Sequence, residues 1–260
     1  MKDAVCWFSC GGASAVATKL ALKEYDKVDI RYSDTGSEHP DNKRFLHECE
    51  KWFGQEIIVG KREIQNIWDL FRKEKYIKSA TGYAVCTEYF KQHWVRPEAG
   101  IVRLNQAEVL GYTLEEKHRA DRFRQMNGSR KLDPILIRME MTKADTLAVL
   151  NEAGIELPAM YQMGYHNNNC IGCVKGGAGY WNKIRRDFPE EFERMAQIEE
   201  ELGYKLLKTT MKGKKTPTSL RDLPEDAGRY DEEKYKSIEC GLFCALATQI
   251  IEEDEDEDED

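Results

Sequence analysis

The 260-residue sequence has no apolar run long enough to cross a membrane, and it contains no internal repeats. Its first residues also lack the charged start, the apolar stretch and the small-residue cleavage site of a signal peptide, so we expect a cytoplasmic protein. With 41% apolar residues, the chain is long enough to bury a sizeable core. These properties are typical of one large globular domain or two small ones.

The net charge of −8 comes from one end of the chain. Nine of the 47 acidic residues form the segment 252–260, so the rest of the chain carries 38 acidic residues against 39 lysines and arginines. A block of like charge predicts a solvated, disordered tail without a catalytic role. A tail that competes with nucleic acid for a basic face, or that binds a basic partner, is the alternative.

Eight cysteines in a chain without an export signal do not predict a disulfide framework. In a reducing compartment, spaced cysteines indicate metal, cluster or redox chemistry. Cys6 and Cys49 lie in apolar strand-like and helix-like segments, and we interpret them as core residues. Five others need a separate explanation: Cys86, Cys170, Cys173, Cys240 and Cys244.

Strands and helices alternate through the first 60 residues, and further strands and helices follow after a less regular stretch at 75–105. The predicted strands are 3–9, 27–33, 55–60, 107–111 and 134–138, and the predicted helices are 14–25, 40–53, 63–74, 114–125, 143–153 and 189–203. Short strands separated by helices imply right-handed crossovers, and therefore an α/β fold with a parallel sheet of about five strands. We expect an α/β domain over 1–160, a cysteine-containing C-terminal region over 161–251 and the acidic tail over 252–260. The basic segment 205–217 is predicted to be a mobile loop.

Two turns at the ends of neighbouring strands predict a nucleotide site. The turn 9–14 opens a helix, whose first N–H groups and partial positive charge attract phosphate, and its glycines let the backbone approach an anion. It is neither a Walker loop nor a dinucleotide fingerprint. The turn 34–36 follows the next strand and is expected at the same sheet edge, where open α/β sheets bind ligands. The predicted contacts are Ser9, Cys10, Gly11, Gly12, Ser14, Asp34, Thr35 and Gly36.

Together these turns resemble those of the adenine nucleotide α-hydrolase group. The most similar branch is the phosphoadenosine phosphosulfate (PAPS) and adenylyl sulfate (APS) reductases, in which Asp-Thr-Gly after the second strand is a hallmark. The similarity continues at Cys86 with Lys91, at 111–122, at 134–145, at Cys170 with Cys173, and at Glu239-Cys240-Gly241-Leu242. It implies that the 1–160 domain binds an adenine nucleotide, and that Lys91, Arg119 and Arg122 contact its phosphate or sulfate groups.

Three positions depart from the pattern of that family. Cys10 stands where glycine is usual, Ala13 where members that use ATP often have aspartate, and Phe243 where the last motif has histidine. Ala13 removes a carboxylate near the metal and phosphates, which weakens the case for cleavage of ATP with Mg²⁺.

Cys170 and Cys173 have the C-x-x-C spacing that lets two thiolates hold one metal atom or two irons of a cluster. Because cluster-containing relatives carry a cysteine pair at about the place of Cys86, the resemblance implies a 4Fe–4S cluster on Cys86, Cys170 and Cys173, with Cys244 or Cys240 as the fourth ligand. A three-cysteine cluster with one open iron, a zinc ion, or unligated thiols are the alternatives.

Cys240 is the candidate nucleophile. In the resembling family this C-terminal cysteine takes the sulfonate as S-sulfocysteine, which a thiol then releases as sulfite, and Cys244 would be an internal resolving thiol. A reductant such as thioredoxin or glutaredoxin is implied. The structural alternative is that both cysteines are buried neighbours in a terminal helix.

Three functions are compatible with the sequence. The first is a PAPS or APS reductase-like enzyme. The second is an ATP pyrophosphatase of the type used in DNA phosphorothioation or tRNA thiolation, in which the segment 205–217 would bind nucleic acid. The third is a non-catalytic nucleotide-binding module.

Overall fold

The computed structural model describes residues 2–60, 62–79, 82–92, 106–211, 214–232 and 242–252. Five strands form a parallel sheet in the order β3-β2-β1-β4-β5. They are β1 (Asp3–Phe8), β2 (Lys27–Tyr32), β3 (Ile58–Val59), β4 (Ala107–Val109) and β5 (Lys131–Asp133). The predicted α/β fold with about five parallel strands is confirmed.

Ten α-helices are described around the sheet and beyond it: α1 (Gly12–Glu24), α2 (Asn42–Phe53), α3 (Ile67–Glu74), α4 (Lys117–Met126), α5 (Ile135–Arg138), α6 (Lys143–Glu152), α7 (Ala159–Gln162), α8 (Ala178–Asp187), α9 (Pro189–Leu202) and α10 (Leu242–Glu252). Local signals set several ends. Helix α6 begins at a capping box in which Thr142 and Asp145 satisfy each other's backbone N–H groups. Helix α2 ends at Gly54, which adopts the left-handed conformation. None of the described helices is both long and apolar enough to span a bilayer.

Two predicted elements are wrong. The segment 134–138 is not a strand, because β5 precedes it and Ile135–Arg138 forms the short helix α5. A run of four apolar residues fits a buried helical turn as well as a buried strand. The segment 205–217 is not a mobile loop, since β6 (Leu207–Met211) and β7 (Lys214–Thr218) pair as an antiparallel hairpin. The hydroxyls of Thr209 and Thr218, both buried, are 2.6 Å apart and hold the two strands together.

The apolar side chains form two cores. The first lies between one face of the sheet and helices that include α1, α2, α6 and α10. The second is built mainly from α3, α8, α9 and the β6–β7 hairpin, with Trp181 fully buried in it. Each core draws on residues from both sides of position 160, since Ala247 of α10 belongs to the first and Trp68 of α3 to the second.

Alternation along β2 separates the two faces of the sheet. Val28, Ile30 and Tyr32 are buried in the first core. Since neighbouring residues of a strand point to opposite faces, Asp29 and Arg31 lie on the face that does not carry this core. The sheet therefore has one apolar face and one face with charged side chains.

Candidate functional site

A cleft of about 660 Å³ opens at the carboxyl edge of the sheet, beside β1 and β4. These neighbouring strands continue in different directions along the chain, because β1 leads to α1 and then to β2 on one side, whereas β4 leads to β5 on the other. Such a switch point is where open α/β sheets bind ligands. Of the residues predicted to bind nucleotide or metal, six line the cleft: Ser9, Gly11, Ser14, Lys91, Arg119 and Cys170.

The turn 9–14 forms a pre-organised hydroxyl pair at the cleft wall. Both the backbone N–H and the hydroxyl of Ser9 donate to Ser14 Oγ at 3.0 Å, and Ser14 Oγ donates to the carbonyl of Gly11 at 2.9 Å. Gly11 is the N-cap of α1 and has no side chain to cap it. The start of α1 therefore places two hydroxyl groups beside a helix N-terminus, which is the kind of site that binds phosphate.

Cys10 does not line the cleft. It is buried and has a φ of +55°, which is the left-handed conformation that favours glycine. Asn168 holds this conformation, since its Nδ2 donates to the carbonyl of Cys10 at 2.6 Å and to Asn42 Oδ1 at 2.8 Å. Burial raises the pKa of the Cys10 thiol well above its usual range. The turn thus keeps the backbone that glycine would give, at the expense of local strain.

Gly111, which follows β4, brings the opposite wall of the cleft against α1. A Cβ atom at this position would lie 2.6 Å from the backbone nitrogen of Ser14. Any side chain would therefore push the β4 turn away from the phosphate-type turn. Gly12, on the other side, packs against Leu147 of α6 and does not line the cleft.

The turn 34–36 contributes to the site indirectly. Asp34 pairs with Arg62 at 2.9 Å and accepts the N–H of Gly36 at 2.8 Å, and none of the residues Asp34, Thr35 and Gly36 lines the cleft. Thr35 instead donates to Glu38 through its hydroxyl at 2.7 Å and its backbone N–H at 3.1 Å. Glu38 does line the cleft. The turn therefore positions a partly buried carboxyl at the site, a role that the sequence motif did not reveal.

Glu38 lies next to a cysteine. Cys170 Sγ is 3.6 Å from Glu38 Oε1 and 3.1 Å from Thr35 Oγ1. Burial raises the pKa of the Glu38 carboxyl, against the hydrogen bonds from Thr35. Burial, and then Glu38, also raise the pKa of the Cys170 thiol, whereas Lys91 lowers it. At neutral pH Cys170 is therefore a thiol and not a thiolate.

Lys91 connects the cleft with the cysteines. It lies in a π-helical segment (Thr87–Gln92), a type of helix that often occurs at functional sites. Burial lowers the pKa of its amine, but Cys170, Cys173, Glu38 and Cys86 together outweigh that effect and raise it. The side chain reaches solvent through the cleft, although protein groups surround its ammonium. Lys91 thus interacts electrostatically with all three cysteines predicted to bind metal, Cys86, Cys170 and Cys173.

The cysteines that the structure describes with their side chains do not make up a complete metal site among themselves. Thiolates are the ligands that iron–sulfur clusters and zinc prefer, so the donor type fits. Yet within the described ranges no three His, Cys, Asp or Glu side chains are arranged to hold a metal ion. Of the candidates for a fourth ligand, Cys240 lies outside the described residues, and Cys244 is described only by its backbone in α10.

Only one of the two arginines predicted to contact the nucleotide lines the cleft. Arg119 lines the cleft, pairs with Glu116 and lies 5.0 Å from the ring of Tyr112. Arg122 is exposed on α4 and does not line the cleft. Sequence reasoning missed two arginines that do line it, Arg31 and Arg130. Only Arg31 carried a usable signal, because β2 is an interior strand of a parallel sheet, where strands are normally apolar, and Asp29 and Arg31 alternate there with apolar residues.

A second cavity of about 420 Å³ lies between α8 and the segment 225–232. Two of its cations, Lys183 and Arg186, contact both Glu232 and Asp187, and the third, Arg185, donates to the carbonyls of Leu220 and Leu223. Because no cysteine lines it, this cavity does not combine anion binding with a thiol. The cleft beside β1 and β4 is the stronger candidate.

The model of the phosphoadenosine phosphosulfate reductase domain matches residues 3–178 of this chain. Two uncharacterized proteins of Methanocaldococcus jannaschii are also similar. MJ0066 is 25% identical over 212 residues, which cover 78% of this chain and 43% of that protein. MJ0973 is 22% identical over 237 residues, which cover 83% of this chain and 53% of that protein. The chain thus spans about half the length of these relatives.

Proposed function

This chain belongs to the phosphoadenosine phosphosulfate reductase domain family, and from that premise we propose that it binds an adenine sulfonucleotide in the cleft and transfers its sulfur to a cysteine. One observation carries the proposal: groups that bind phosphate and a cysteine line the same cavity. The turn 9–14 and Lys91 supply the first, and Cys170, one of the three cysteines predicted to hold a cluster, supplies the second. The cysteine that would take the sulfur, Cys240, lies outside the described residues. Ala13 also lines the cleft and offers no carboxylate for a magnesium ion, which disfavours ATP as the substrate.

The transfer step follows from the family motif that contains Cys240. The Cys240 thiolate attacks the sulfur of the sulfonate, and the bond between that sulfur and the phosphate oxygen breaks. The nucleotide leaves with the electron pair, and Cys240 becomes S-sulfocysteine. A second thiol then attacks the cysteine sulfur and expels sulfite, so that sulfur is reduced from +6 to +4 while two thiols become a disulfide. That thiol belongs to Cys244 or to an external reductant such as thioredoxin or glutaredoxin.

In this scheme the described residues of the cleft would bind the substrate. The hydroxyls of Ser9 and Ser14, the start of α1, and Lys91 would bind the phosphosulfate chain and stabilise the negative charge on the leaving phosphate. Arg119, held by Glu116 and Tyr112, would contact the nucleotide from the opposite wall. No step requires a metal ion. The iron–sulfur cluster on Cys86, Cys170 and Cys173 stays a prediction, which the iron and acid-labile sulfide content of anaerobically purified protein would test.

The products of three substrates test the function. We expect the reduced, anaerobic protein to release sulfite from PAPS with adenosine 3′,5′-bisphosphate, or from APS with AMP, and to leave ATP intact. Lys91→Gln should lower the rate at least about tenfold, since it removes a charge-assisted contact to the phosphosulfate. Lys117→Gln, on the exposed side of α4, is the matched control and should keep the activity of the unaltered protein.

Two results would contradict the proposal. Release of AMP and pyrophosphate from ATP, without sulfite from PAPS or APS, would assign the chain to the ATP pyrophosphatases that modify nucleic acids. Nucleotide binding without turnover, unchanged in Cys240→Ser, would make it a non-catalytic binding module.

A further inference from the structure

The β6–β7 hairpin carries positive charge that the proposed function does not use. The segment 205–218 contains five lysines and no acidic residue. Lys205, Lys208 and Lys215 are exposed, and none of these three forms an ion pair with another described residue. Since the whole chain has a net charge of −8, the hairpin is a local source of positive charge on an acidic protein.

The register of the hairpin places two of these lysines on one face. Lys208 pairs with Pro217 and Lys215 pairs with Thr210, whereas the alternate residue Thr209 is buried on the other face. Residues that pair directly share a face of the ladder, so Lys208 and Lys215 are diagonal neighbours, about 7 to 8 Å apart. This spacing is comparable to that between successive phosphates of an extended nucleic-acid strand.

Three glutamates of α9, the helix that directly precedes the hairpin, have arginine partners of their own. Glu193 and Glu200 both pair with Arg221, and Glu201 pairs with Arg72. Because these carboxylates are already neutralised, they do not compensate the lysines of the hairpin. The positive charge of the hairpin is therefore available to an anion from outside the chain.

Two exposed tyrosines lie near the base of the hairpin. Tyr76 and Tyr83 are 37% and 43% exposed. Tyr204, which directly precedes the lysine-rich segment, donates to the carbonyl of Lys78, and the next residue, Ser79, donates its N–H to the carbonyl of Tyr83 at 2.7 Å. Burial, and then Tyr76, raise the pKa of the Tyr204 phenol, so Tyr76 lies within electrostatic range of it. The chain thus brings two aromatic rings next to the lysines.

Unpaired lysines and exposed aromatic rings are the two elements that bind a single nucleic-acid strand, because lysines contact its phosphates and bases stack on the rings. A duplex keeps its bases inside, and an acidic peptide has no bases to stack. We propose that Lys205, Lys208, Lys215, Tyr76 and Tyr83 form a surface that binds single-stranded DNA or RNA without sequence preference. None of these five residues lines the cleft, so the inference goes beyond the proposed function and does not depend on it.

Fluorescence anisotropy of a labelled oligo(dT) of about 20 nucleotides, titrated with the 260-residue chain, tests the lysines. We expect binding that weakens as the salt concentration rises, because lysines release counterions from the phosphates. Lys208→Gln combined with Lys215→Gln removes two phosphate contacts and should reduce the slope of log affinity against log salt by about 1.4. The matched control, Lys51→Gln combined with Lys131→Gln, removes two exposed lysines elsewhere and should leave the slope unchanged.

An abasic oligonucleotide of the same length tests the tyrosines. Tyr76→Leu combined with Tyr83→Leu removes both rings and keeps apolar side chains. It should weaken the binding of oligo(dT) at least about fivefold and leave the binding of the abasic strand unchanged. Tyr76→Phe combined with Tyr83→Phe keeps both rings and should retain the affinity of the unaltered protein for oligo(dT).

Four results would overturn the inference. The first two are no binding of oligo(dT) at about 50 mM salt, and an unchanged salt slope in the Lys208→Gln and Lys215→Gln variant. The third is equal affinity of the unaltered protein for the abasic strand and for oligo(dT), because charge alone would then account for binding. The fourth is tighter binding of poly-glutamate than of oligo(dT), which would assign the surface to an acidic protein partner. Since sulfite release from PAPS or APS depends on other residues, either proposal can fail while the other stands.

Discussion

At the scale of single residues, Glu38 is a titratable group that lines the candidate cleft and contacts one of its cysteines. It accepts hydrogen bonds from Thr35 and from the backbone of Ser37, and it lies beside the thiol of Cys170. Burial raises the pKa of its carboxyl in the folded protein. Folding therefore favours the protonated acid, and its contribution to stability is present at pH values below the pKa of an unfolded glutamate.

That contribution is lost as the pH rises through the folded pKa of Glu38, so the ionised form is a destabilising element at neutral pH. We expect Glu38→Gln, which removes this titration, to increase in stability relative to the unaltered protein as the pH is raised from 4 to 8. Urea unfolding at several pH values measures the difference. Glu56→Gln, which replaces an exposed glutamate, is the matched control; a stability difference for Glu38→Gln that does not grow as the pH is raised would refute the assignment.

The burial and the backbone conformation of Cys10 are not evident from the identity of the residue alone. The family resemblance marked this position as a departure from glycine, and the structure confirms that its backbone is in the conformation that glycine favours. The burial of its thiol and the hydrogen bonds from Asn168 depend on residues far away in the sequence. No local pattern could have predicted that Cys10 faces the interior while its neighbours Ser9 and Gly11 line the cleft.

At the scale of elements, the contact between the β4 turn and the start of α1 determines the width of the cleft. Gly111→Ala would place a Cβ atom 2.6 Å from the nitrogen of Ser14, and the two backbones would have to separate. We expect a loss of about 1 to 3 kcal/mol in the free energy of unfolding, together with weaker binding of AMP. The comparison is Gly128→Ala, where a Cβ atom meets no heavy atom within 4 Å and stability should change by no more than about 0.5 kcal/mol.

Equal stability of the two alanine variants, measured by urea unfolding, would mean that the β4 turn does not approach α1 this closely.

Most elements could be predicted because hydrophobic periodicity and capping residues are local. Thr142 and Gly54 identify the start of α6 and the end of α2. The errors arose where local preference was ambiguous. The apolar run 135–137 forms a helix because β5 has already ended, and the lysine-rich hairpin β6–β7 is stabilised by the buried threonines Thr209 and Thr218. Helix α8 was missed because two glycines, Gly176 and Gly177, immediately precede it.

At the scale of the whole molecule, the cleft is assembled from segments that are far apart in the sequence. The turn after β1, the turn after β4, the π-helical segment and the loop 167–170 meet at the point where the order of the sheet reverses. The parallel sheet predicted this convergence for the turns after β1 and β2, but not which of their residues face the ligand. Asp34 pairs with Arg62 and does not line the cleft, whereas Glu38, four residues later, does.

The two cores explain how the cysteines reach this cleft. Tyr180 of the second core donates to the carbonyl of Cys170 at 3.2 Å and accepts the N–H of Cys173 at 3.0 Å. The C-x-x-C loop is thus attached to α8, while the backbone N–H of Ile171 donates to the carbonyl of Ser37 at 2.8 Å and joins the loop to the sheet edge. The loop therefore lies where the two cores meet, with one cysteine at the nucleotide cleft.

A crystal structure of the protein soaked with adenosine 3′,5′-bisphosphate tests the central claim most directly. The account predicts one nucleotide in the cleft beside β1 and β4, with an anionic group within hydrogen-bond distance of Ser9 or Ser14 and the ribose between that turn and Gly111. A nucleotide bound instead in the cavity beside Lys183 and Arg186, or anywhere away from the start of α1, would contradict it.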